Sequence, residues 1–173
     1  MRNGRHPKFP LATYRLRCTN LALVPGTRAL AHRAPACFDG RVPGLAGIAH
    51  IDLMVCDVAR SERFYTEGLG MTRRDAVTKP SFVSVVLGRD DLGCTVGLNW
   101  CEVADGSPFD EMRTGLDHLA FQVPTRGDLD AWQDRLRDEG VPFTPIMDTP
   151  TGSVLVFRDP DNIQLELFAP CDP

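Results

Sequence analysis

Two histidines and a glutamate in this chain have the residue types and the spacing that hold a metal ion: His50, His118 and Glu166. Each histidine opens a run in which apolar residues alternate with small or polar ones, Ile51, Leu53 and Val55 after the first and Leu119, Phe121 and Val123 after the second. That is the period of a half-buried strand, and in both runs the histidine falls on the face opposite the apolar row. In "IQLELF" the apolar row is Ile163, Leu165 and Leu167, so Glu166 shares the non-core face with Gln164 and Phe168. A carboxylate between two leucines sits on a covered strand, where its charge requires compensation. Two neutral imidazoles and one carboxylate form a 2-His-1-carboxylate set, suited to Fe(II) first and otherwise to Mn(II), Zn(II) or Ni(II). About three positions of an octahedral ion then stay open, enough for a substrate with two neighbouring oxygens. The competing reading is structural, because an imidazole or a carboxylate in a cup can simply hydrogen-bond.

The elements that must position these residues repeat. "GIAHIDLMVCD" reads as a strand, "ARSERFYTEGLG" as a helix, and "FVSVVLG" and "CTVGLNW" as a hairpin. "DHLAFQVPTRGDLDAWQDRLRDEGV" restarts the order, and "GSVLVFRD" and "IQLELF" close it around the turn "DPDN", where Pro160 and Asn162 suit turn chemistry. Residues 46–112 and 114–170 therefore read as two βαβββ modules in tandem, an α+β fold with a cup-shaped mixed sheet. If the modules face each other about a pseudo-twofold axis, His50 and His118 meet in the middle.

Symmetry also points to a fourth ligand position. Glu166 lies 48 residues after His118, and the face-matched residue 47 after His50 is Gly97, flanked by Thr95 and Asn99. A glycine cannot ligate, so the set has three protein ligands and a vacancy, which a glutamate at position 97 is expected to fill. Asp52 and Gln122 follow the histidines on the same face and can orient an imidazole, touch substrate or merely bind water. With Glu166, Gln122 and the vacancy-flanking Asn99 are the candidate catalytic residues. Tyr65 and Trp132 read as core aromatics, Arg158 as the partner of a nearby acid, and Met54 and Phe168 as an apolar cup wall.

"AHIDLMVCD…SERFYTEGLGM", "GLDHLAF" and "FRDPDNIQLELF" together resemble the vicinal oxygen chelate superfamily, which includes glyoxalase I, fosfomycin-resistance thiol transferases, extradiol dioxygenases and bleomycin-resistance proteins. The resemblance covers roughly residues 46–170. It implies paired modules around a metal held by His50, His118 and Glu166, on the first, fifth and eighth strands, and a homodimer. Gly97 departs from glyoxalase I, where that strand supplies a glutamate. By that comparison a dioxygenase-type enzyme is favoured over a glyoxalase-type lyase or isomerase, although no further inward histidine is evident to serve as acid-base group. A metal-free protein that sequesters a small molecule, as bleomycin-resistance proteins do, is the alternative from another class.

Composition sets the bounds. The chain has 173 residues, 43% of them hydrophobic, enough for one good core. Residues 1–44 hold eight of the 19 Lys/Arg, one of the 23 Asp/Glu and five prolines, with no sustained periodicity. They read as a basic, disordered extension to a domain spanning 45–173. No apolar run is long enough to span a membrane, and the net charge of -4 gives no general reason to bind nucleic acid. The expected partner is a small-molecule substrate. Six cysteines without a CxxC pair favour a reducing compartment, hence a cytoplasmic location, with Cys56 and Cys101 as fillers rather than nucleophiles.

Overall fold

The computed structural model describes residues 44–171. The extension expected over residues 1–44 therefore lies, Gly44 apart, outside the described residues. From Leu45 onward the chain forms one compact unit.

Alternation becomes strand wherever the sequence shows it. The first module runs β1 (His50–Met54), α1 (Val58–Arg63), a π-helical turn (Phe64–Gly68), β2 (Thr72–Lys79), β3 (Phe82–Gly88) and β4 (Thr95–Cys101). The second runs β5 (Leu119–Gln122), α2 (Arg126–Asp138), β6 (Met147–Thr149), β7 (Gly152–Arg158) and β8 (Gln164–Pro170). Each makes a four-stranded mixed sheet, ordered β1-β4-β3-β2 and β5-β8-β7-β6, the same topology twice. In both, the first strand lies parallel to the last, and the remaining pairs are antiparallel. The repeat read from the sequence is thus the architecture.

Helix starts follow capping chemistry. Asp57 caps α1 by accepting from the Arg60 N–H at 3.0 Å, and Thr125 and Asp128 close a reciprocal capping box on α2. Gly70 and Gly140, just past the two helical segments, adopt φ of +67° and +68°, which glycine alone takes without strain.

One core joins the modules. It takes Leu53 from β1 and Val55 just after it, Val96 and Leu98 from β4, Leu129 and Leu136 from α2, and Leu165 and Leu167 from β8. Each fully buried leucine stabilises the fold by about 1.5–3 kcal/mol relative to exposure. Tyr65 is fully buried, and Trp132 packs against the core beneath the Arg89 guanidinium.

A polar clasp reinforces the joint. Asp161, in the β7–β8 turn, accepts through Oδ1 from the Cys56 N–H at 3.0 Å and Arg60 at 2.8 Å, and through Oδ2 from the Ser61 hydroxyl at 2.9 Å. Asp159 accepts from the Tyr65 hydroxyl at 3.1 Å and from the N–H groups of Asp161 and Ile163. Burial pushes the Asp159 carboxyl up to about 6, against the pull of those donors. Asn162 takes φ of +69° in the turn and donates to the Phe109 carbonyl, and Arg158 pairs with an acid as expected, though with Glu111, 47 residues away, and not with one at its own hairpin. With the helix-bearing faces spent on this joint, the opposite face of each sheet, which carries the histidines, stays open.

Candidate metal centre

On the first sheet, His50, Asp52 and Met54 alternate outward from β1 while Leu53 and Val55 turn into the core. The His50 and Asp52 side chains are 64% and 55% exposed, with Nε2 of the one 3.7 Å from Oδ2 of the other. Strand β4 lies parallel to β1 with Asp52 opposite Gly97 and Met54 opposite Asn99. A Cβ on Gly97 would lie 1.9 Å from Oδ1 of Asp52 and 3.7 Å from Nδ2 of Asn99. The vacancy expected at position 97 is therefore already filled, by the carboxylate of its cross-strand neighbour. Asn99 is buried and borders the same spot.

On the second sheet, His118 immediately precedes β5, and Glu166 on β8 faces Ala120 across the parallel ladder. His118 is half-buried, and its Nδ1 lies 2.5 Å from Oδ1 of Asp117. A carboxylate only accepts, so this contact calls for the proton on Nδ1 and leaves Nε2 as the nitrogen a metal would take. Metal-binding histidines are commonly held in this way. Burial pushes the Glu166 carboxyl above its ordinary range, with nearby His118 opposing the shift and Asp117 adding to it.

The structure thus brings His118 and Glu166 together on one open face and sets His50 on the other sheet. Among the described residues, no three His, Cys, Asp or Glu side chains gather closely enough to hold an ion. The convergence of His50 with His118 expected from the repeat is not formed within one chain. Gln122 lines a small cleft with Arg89, Trp132 and Leu69, and no described hydrogen bond ties it to either histidine. Cys56 has its thiol pushed up, chiefly by Asp161, which disfavours the thiolate a nucleophile needs.

Two features escape a sequence reading of the site. Asp117 is signalled only by standing next to a histidine, and Asp159 and Asp161 look like ordinary turn residues until the turn is seen buried against α1. The donor set fits a divalent ion of borderline softness, imidazole with carboxylate, and an imidazole already oriented through its far nitrogen. No described helix is long and apolar enough to cross a membrane.

Comparison with known proteins supports the same frame. The family model for the Glyoxalase/Bleomycin resistance protein/Dioxygenase superfamily matches residues 47–167. The Escherichia coli (strain K12) protein YaeR is 31% identical over 135 residues, covering 72% of this chain and 97% of its own length. The structure of a glyoxylase/bleomycin resistance protein/dioxygenase domain from Frankia sp. EAN1pec superposes with a TM-score of 0.69 at 35% identity, over 74% of this chain and all of that one. TnmS3, an antibiotic binding protein from Streptomyces sp. CB03234, shares the fold at a TM-score of 0.59 and 21% identity, over 75% of this chain and 100% of its own. Twinned βαβββ modules, histidines opening matched strands, and these similarities over the whole compact unit agree: the chain belongs to the Glyoxalase/Bleomycin resistance protein/Dioxygenase superfamily.

Proposed function

We propose that the protein is a divalent-metal-dependent enzyme that acts on a small substrate bearing two neighbouring oxygens, with His50, His118 and Glu166 holding the ion between two copies of the chain. The observation that carries this reading is the second-sheet half-site, where Glu166 and the oriented Nε2 of His118 share one open face. His50 on the exposed face of the first sheet supplies the remaining imidazole. Because these residues do not gather within one chain, a homodimer that sets the first sheet of one copy against the second sheet of the other completes the set.

When bound, such an ion polarises the two oxygens of a chelating substrate and acidifies the carbon between or beside them. The chain's own residues then bind and move protons. His118 donates from Nδ1 to Asp117, which fixes the orientation of the ring, while the Glu166 carboxylate accepts and returns a proton at carbon. Dioxygenase-type chemistry, favoured from sequence, and lyase- or isomerase-type proton transfer both suit a substrate chelated at this centre.

The test is elemental analysis of untagged protein beside His118→Ala. About one Fe, Mn, Ni or Zn per chain, lost in the variant with the fold intact by circular dichroism, supports the reading. Equal metal in both proteins removes His118 from the site. A second reading, metal-free sequestration of a small molecule, is favoured by the split of the three residues over two sheets. TnmS3, an antibiotic binding protein, shares this fold. Protein that stays metal-free after reconstitution supports that second reading.

A further inference from the structure

The two modules can be laid over each other rung by rung, and one rung differs in a telling way. In the second module, the residue two after the histidine is Ala120, and its partner on the parallel strand is Glu166. In the first module, the residue two after the histidine is Asp52, and its partner is Gly97. Each rung pairs one carboxylate with one very small residue, but the strands have exchanged them. We propose that Asp52 is the second carboxylate of the metal site, delivered from β1 in place of one from β4, and that Gly97 exists to make room for it. The proposal rests on the metal-dependent reading above.

Three observations carry it. The Asp52 Oδ1 stands where a Cβ on Gly97 would be, 1.9 Å from the ideal position, so the two residues cannot both have inward side chains without one moving. The other carboxylate oxygen lies 3.7 Å from Nε2 of His50, so a small side-chain adjustment brings both atoms within reach of one cation. Asp52 is also free for this use. Among the described residues it accepts no hydrogen bond from backbone or side chain, and its side chain is more than half exposed. A carboxylate that served only to fill the notch would be a poor choice, because alanine on β1 would leave no charge to solvate.

The set becomes His50, Asp52, His118 and Glu166, two imidazoles and two carboxylates, which leaves about two open positions on an octahedral ion. That is enough for a bidentate substrate and no more, so the inference selects a chelating substrate with no place for a second small reactant such as dioxygen.

The closing experiment titrates Co(II) into metal-free protein and follows binding by calorimetry and the visible ligand-field spectrum, with thermal melts to confirm folding. Four proteins are compared with wild type. Asp52→Asn keeps shape and loses charge, and should weaken Co(II) roughly 10- to 100-fold and alter the spectrum. Gly97→Ala drives the carboxylate off its seat and should weaken binding as well. Asp52→Ala with Gly97→Glu moves the carboxylate to β4, as in the second module, and should restore affinity to within about tenfold of wild type. His118→Ala tests the parent reading. Unchanged affinity and spectrum in Asp52→Asn, with binding lost in His118→Ala, overturns the role of Asp52 and leaves the metal site standing. Absence of Co(II) binding by wild type overturns both.

Discussion

Asp117 holds the Nδ1 of His118 and so fixes which nitrogen the ring offers to the open face. Replacing it by Asn keeps a hydrogen-bond partner of the same shape but removes the charge that fixes the tautomer and raises the basicity of the ring. Asp117→Asn should therefore lower metal affinity roughly 10- to 100-fold without unfolding the domain. Calorimetry with Co(II) checks this, and an unchanged affinity means that the contact is an incidental surface pair. Gly97→Glu alone behaves differently from what the sequence suggests. The new side chain competes with Asp52 for one volume, so it adds no affinity unless Asp52 is shortened at the same time. The placement of His50, His118 and Glu166 on non-core faces was legible from alternation and repeat, since parity alone assigns it. The exchange between Asp52 and Gly97 was not, because the two residues are 45 positions apart and meet only once β1 and β4 are in register.

Between elements, the joint of α1 with the β7–β8 turn carries a measurable share of the stability. Asp161→Ala strands the Cys56 N–H, the Ser61 hydroxyl and the Arg60 guanidinium at once, and should destabilise the fold by roughly 3 kcal/mol. Urea unfolding at neutral pH measures it, and a loss within about 0.5 kcal/mol means that water replaces the carboxylate there. Asp159 gives the joint a pH dependence of known sign. Its carboxyl is raised from 3.8 to about 6 in the fold, so its contribution is fully present below about pH 4 and is lost as pH rises through 6. The stability of wild type relative to Asp159→Asn should thus fall by roughly 2 kcal/mol from pH 4 to pH 7. Curves that run parallel over that range would show that Asp159 is ionised throughout. None of this was readable from "DPDN", which has the composition of an exposed turn. Strand β2, exposed along its length, was equally silent, because a strand wet on both faces has no apolar row to announce it.

At the scale of the whole molecule, the tandem repeat decides more than any single residue. The repeat was visible in the matched runs after His50 and His118, and it predicted the twin βαβββ modules, although the residues of β2 and β6 went unassigned and the strands divide into two sheets where one cup-shaped sheet was expected. Which faces the modules turn toward each other was not visible, since both the helix side and the histidine side of each sheet offer plausible partners. The structure spends the helix sides, leaving His50 beside Asp52 on the first sheet and His118 near Glu166 on the second. That division has a consequence for mixtures. Under the proposed centre shared between two copies, a chain lacking His50 still carries an intact second sheet and a chain lacking His118 an intact first sheet, so each should be barren alone while the two complement each other. Co-refolded in equal amounts, half of the pairs formed at random are hybrids, and each hybrid assembles one whole centre from its two healthy sheets and one from its two damaged ones. Metal capacity should then return to roughly a quarter of the wild-type value from parents that have none.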